Sequence, residues 1–76
     1  MNLLKKENEI NARLKQIDPR YSIANLKLAL EGQYDFDIGR AFSRKDSIAV
    51  EKVFREVLGI GVRAKRNKRG FAKALL

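Results

Sequence analysis

The chain contains no cysteine and no histidine. Without thiols it has neither a disulfide framework nor a thiolate metal site. Without imidazole it lacks the commonest general base and the commonest metal ligand. Carboxylates, lysines and tyrosines are the remaining acid–base groups, and no grouping of them reads as catalytic. The expectation is therefore a non-enzyme with no cofactor and no metal. No apolar run approaches the length of a transmembrane helix. The opening MNLLKKENEI carries charge too early for a secretory signal, and the C-terminus has no lipidation motif. These absences predict a cytoplasmic protein with no membrane partner.

One further absence is local. Residues 1–56 carry eleven basic and nine acidic side chains, a balance of +2, whereas six basic residues and no acid follow Glu56. Over the whole chain there are 17 Lys and Arg against 9 Asp and Glu, a net charge of +8 in 76 residues. A small basic domain favours a polyanionic partner, met here chiefly by the C-terminal end. The length predicts one domain over 1–76, with a core modest enough that a homodimer would be unsurprising.

What is present reads mainly as helix. Over residues 2–17, Leu3, Ile10, Leu14 and Ile17 form one stripe at helical spacing with Leu4 beside it. Packing within the monomer is the favoured use of that stripe; a dimer seam is the alternative, too short for a coiled coil because Lys6 and Arg13 break the heptad. Asp18-Pro19 marks a boundary, with Asp18 as cap and Pro19 as first residue of a second helix running to Leu30 or Glu31 and ended by Gly32. A third short helix is expected over Phe36–Phe42, with Phe36, Ile38 and Phe42 in the core and Gly39 explained by close approach of another backbone. Asp35 or Asp37 would cap it. Ser43 and Asp46 fit a capping box for a fourth helix ending at Leu58, with Gly59 after it.

The tail, from Gly59 onward, allows two readings. Ile60, Val62 and Ala64 alternate with Gly61, Arg63 and Lys65 as in a strand, Asn67-Lys68-Arg69-Gly70 suits a turn, and Phe71–Leu75 can return. The other reading is a basic loop and a short final helix. The alternation tips the balance towards the hairpin. The expected fold is thus mainly α: a small helix-turn-helix domain of about four helices, winged by a C-terminal β-hairpin.

The helix over 46–58 has two contrasting faces. Val50, Val53, Phe54, Val57 and Leu58 make the core side. Lys45, Ser47, Ile48, Lys52 and Arg55 are placed opposite, with Ala49 and Glu51 at the edges. Ile48 is the informative residue, a large aliphatic group among polar ones. A helix lying in the major groove can use such a side chain on a thymine methyl while its neighbours bond base edges. Arg44 and Lys45 in the turn are placed for phosphates, and Lys52 and Arg55 for phosphate or guanine.

Ile38-Gly39-Arg40-Ala41-Phe42, followed by Arg44-Lys45-Asp46, Val50 and Arg55, resembles the C-terminal DNA-binding domain of the bacterial replication initiator DnaA, whose pattern is approximately IGRAFGGRDHTTV. About twenty residues match well. The resemblance implies a helix-turn-helix whose second helix enters the major groove. It implies that Lys45 is a basic turn residue, that Asp46 faces bases, and that Ser47, Ile48 and Ala49 stand at base-reading positions where the family has His-Thr-Thr.

The function expected from the sequence is sequence-specific binding of double-stranded DNA, as a transcriptional regulator. Its contact residues would be Arg44, Lys45, Asp46, Ser47, Ile48, Ala49, Lys52 and Arg55 on the helix. Arg63, Lys65, Arg66, Lys68 and Arg69 of the tail would grip phosphates or the adjacent minor groove. The alternatives are an RNA- or ribosome-associated protein, which the basic tail fits equally well, and a small protein-binding inhibitor of a nucleic-acid enzyme.

Overall fold

The computed structural model describes residues 2–24, 26–32, 35–65 and 70–73, and of Lys73 the backbone alone. Among these residues three helices and three short strands follow in the order α1 (Leu3–Ile17), α2 (Leu26–Leu30), β1 (Phe36–Asp37), α3 (Arg44–Leu58), β2 (Val62–Ala64) and β3 (Gly70–Lys73). The domain is mainly α with a small antiparallel sheet built on a C-terminal hairpin, as the alternation in the tail predicts.

α1 begins at Asn2, whose side chain accepts from the Lys5 backbone N–H at 3.1 Å and so satisfies one of the free amides of the first turn. Its apolar stripe packs within the chain, chiefly on α3. Ile10 and Leu14 are fully buried, and Leu3 and Ile17 partly so. Lys6 adds a tie, donating from Nζ to the Val57 carbonyl at 3.1 Å near the end of α3, where free carbonyls favour a cation.

The second helix is shorter than its sequence suggests. Asp18 is extended and closes α1, as a residue before proline prefers, and its Oδ1 accepts from the Arg20 N–H at 2.9 Å. No helix starts at Pro19. Residues 21–24 instead alternate, with Tyr21 and Ile23 buried and Ser22 and Ala24 exposed. Their backbone is satisfied from outside: Asn11 accepts from the Ile23 N–H at 2.7 Å and donates to the Ile23 carbonyl at 3.2 Å, and Ser22 N–H donates to the Ile38 carbonyl at 3.2 Å. Glu7 Oε1 then accepts from the Leu26 N–H at 3.1 Å, where α2 begins.

The helix expected over Phe36–Phe42 is absent. Burial there runs in–out–in at Phe36, Asp37 and Ile38, a period of two, and Phe36-Asp37 pairs with β3 instead. Gly39 has φ +86°, outside the right-handed helical region, and a Cβ added there would meet nothing within 4 Å. Its glycine serves the backbone turn rather than close approach. Asp37 Oδ1 accepts from the Gly39 N–H at 2.6 Å to fix that turn, and Asp35 pairs with Lys65, so neither aspartate caps a helix. Phe36, Ile38 and Phe42 are nevertheless buried, as expected of core anchors.

In the sheet, β3 is central, in the order β1-β3-β2. Phe71 pairs with Phe36 on one side and Ala64 on the other. Fully buried, it stacks on Phe42 with ring centroids 4.6 Å apart and sits 6.3 Å from Phe54, which in turn lies 4.9 Å from Phe36. This aromatic cluster joins sheet, irregular segment and α3. Burying each such side chain stabilises the fold by about 1.5–3 kcal/mol.

Candidate nucleic-acid interface

α3, equal to α1 in length, is bounded by the residues the sequence predicts, Ser43 and Gly59. Ser43, extended at φ −78° and ψ 165°, accepts from the Asp46 N–H at 3.1 Å. Gly59 closes the helix at φ +71°, a conformation that favours glycine. Fifteen residues give a rod of about 22 Å.

Its inward face carries Val50, Val53, Phe54 and Val57, and Ser47 with them. Ser47 is therefore a correction. It is 7 % exposed and its hydroxyl donates to the Arg44 carbonyl at 2.7 Å, leaving no surface for a base. Ser47 precedes Val50 by three and Phe54 by seven, which at 3.6 residues per turn sets it on the core side. Asp46 is also diverted. It does not reach back to cap the helix; its Oδ2 accepts from the Tyr21 hydroxyl at 2.7 Å, and it is half-buried.

The outward face is different. Ile48 is 63 % exposed, so it packs under neither α1 nor the described part of the tail. Arg44, Lys45, Lys52 and Arg55 are exposed around it, and Ala49 and Glu51 are half-buried at its margins. Ile48, Glu51, Lys52, Arg55 and Glu56 line a shallow surface depression of about 390 Å³. Among the described residues no ion pair engages Arg44, Lys45, Lys52 or Arg55. Glu56 is engaged first by Arg13 of α1, which donates to its carboxylate; that hydrogen bond, and to a lesser extent the charge of Lys52, hold its pKa below the usual value.

From the tail, Arg63 and Lys65 are exposed on and just after β2, which packs against α3. Lys65 is paired with Asp35 at 2.6 Å. Arg66, Lys68 and Arg69, with the turn expected of them, lie outside the described residues. Two participants are not evident from the sequence. Tyr21 is buried and its hydroxyl positions the start of α3. Arg40, which a helix over Phe36–Phe42 would make scaffold, is exposed on the irregular segment that leads into α3.

The described residues contain no group of three or more His, Cys, Asp or Glu side chains able to hold a metal ion. No helix among them is long and apolar enough to cross a membrane. No protein-family model matches the chain, and neither the curated proteins nor the solved structures contain a match to it.

Proposed function

We propose that this protein binds double-stranded DNA in a sequence-dependent way, laying the outward face of α3 in the major groove, and that it acts as a regulator of transcription. The observation that carries the reading is Ile48, a large aliphatic side chain 63 % exposed at the centre of a face whose cations are Arg44, Lys45, Lys52 and Arg55. Exposed isoleucine is costly to leave in water and useful against a base-pair edge. The free cations supply the phosphate attraction that dominates affinity, and Arg63 on β2 adds to it. The helix performs this role as a single rod seated on α1 and the sheet, because the segment before it is irregular rather than a preceding helix.

The test is a binding competition in which a labelled mixed-sequence DNA duplex is challenged with unlabelled duplex DNA of other sequence and with duplex RNA. The expected result is preference for particular DNA sequences over both competitors, abolished by Ile48→Glu in a protein that keeps its helical circular dichroism. Equal competition by RNA, or no effect of Ile48→Glu, contradicts it.

A further inference from the structure

The state of each side chain in the first half of α3 limits what this face can read. Asp46 has its carboxylate bonded to Tyr21, and Ser47 is buried with its hydroxyl bonded to Arg44. Ala49 offers only a methyl and Glu51 is half-buried at the margin. Glu56, exposed on the same depression, is paired with Arg13. The exposed groups left unpaired on this face are therefore one aliphatic side chain, Ile48, and hydrogen-bond donors, of which Lys52 stands one turn beyond it. Lysine donates and cannot accept. Such a face matches bases presenting acceptors or a methyl group in the major groove: guanine with O6 and N7, and thymine with its C5-methyl.

Resting on the DNA-binding reading above, we infer that Ile48 and Lys52 form a two-residue reader, Ile48 against a thymine methyl and Lys52 donating to a guanine. Spacing along the two helices sets the separation. Four residues advance α3 by about 6 Å, and each base step advances B-DNA by about 3.4 Å. The thymine and the guanine therefore lie about two base-pair steps apart. Cytosine, whose amino group needs an acceptor, is not selected by Lys52, and adenine, with N7 alone against the O6 and N7 of guanine, is the weaker partner.

The experiment is selection from a random DNA duplex pool at physiological salt, using the wild-type chain, Ile48→Ser and Lys52→Ala. The wild type then binds its enriched duplex with that thymine replaced by uracil, or that guanine by 7-deazaguanine. The expected enriched site holds the thymine and guanine at this separation. Removing the thymine methyl weakens binding about fourfold, the worth of one buried carbon, and removing guanine N7 weakens it about tenfold. Ile48→Ser loses the thymine preference and keeps the guanine; Lys52→Ala does the reverse. An enriched site indifferent to both base analogues overturns the reader while leaving DNA binding intact. So does an Ile48→Ser variant whose oligomeric state changes but whose site does not. Absence of any duplex binding overturns the parent reading, and the reader with it.

Discussion

The Tyr21 hydroxyl donates to Asp46 Oδ2 across 2.7 Å, tying the connection after α1 to the first turn of α3. The bond spans 25 residues of sequence and fixes the end of the helix that presents Ile48. It also accounts for a carboxylate that the sequence resemblance would turn towards bases. A hydrogen bond to a charged acceptor contributes more than a neutral one, so Tyr21→Phe is expected to destabilise the fold by about 2 kcal/mol. Urea unfolding checks this, with a lower midpoint at unchanged slope as the expected result.

The same contact sets an alkaline limit. Burial, and then the hydrogen bond to Asp46, push the Tyr21 phenol up to about 12 from its ordinary value of 10.0. A folded-state pKa above the unfolded one gives stability that is complete below about pH 10 and lost as pH rises through about 12. Alkaline unfolding of Tyr21→Phe should lack that part of the decline.

At the acid end the sign reverses. The Arg20 guanidinium, and then the Arg20 backbone N–H, hold Asp18 at about 2 against an ordinary value of 3.8. Stability from this group is present above about pH 4 and disappears as pH falls through about 2. Asp18→Asn should flatten the acid titration in that window, read by circular dichroism.

Asn11 grips both backbone groups of Ile23, at 2.7 Å and 3.2 Å. Asn11→Ala leaves them without these partners beside a buried side chain, at a cost of about 2 kcal/mol. Amide hydrogen exchange at Ile23 should accelerate more than exchange in the middle of α3, which distinguishes local release from general weakening.

The sequence displays α1 and α3 clearly because each has an apolar stripe at helical spacing and a recognisable end: Ser43 before α3 and Gly59 after it. The hairpin is legible in the alternation through Ile60, Val62 and Ala64. The segment around Phe36 is not, because its strand partner, Phe71, lies far along the chain, while Phe36, Ile38 and Phe42 fit a short helix equally well. Pro19 misleads for a related reason. Helix-like local signals there yield to Asn11, which satisfies the Ile23 backbone from another element. Ser47 is legible in principle, since its spacing from Val50 and Phe54 already sets it inward. The outward position of Ile48 is legible too, from its place opposite Val53, Phe54 and Val57 at helical spacing, and its exposure agrees.

Arg63 is exposed on β2 and belongs to the phosphate-attracting part of the proposed surface. Arg63→Ala should weaken binding to all duplex sequences alike. It should also reduce the slope of log affinity against log salt by about 0.9, the value for one released counterion. Equilibrium binding at several salt concentrations, on a preferred and a non-preferred duplex, measures both effects.

The most direct measurement is amide chemical-shift mapping while a DNA duplex is added to the isotopically labelled protein. Binding through the outward face of α3 is expected to move the signals of Lys45, Ile48, Lys52 and Arg55 most, with Arg63 following and the middle of α1 nearly still. Shifts concentrated on α1, or none anywhere at saturating duplex, would contradict the assignment of α3 as the DNA-reading helix.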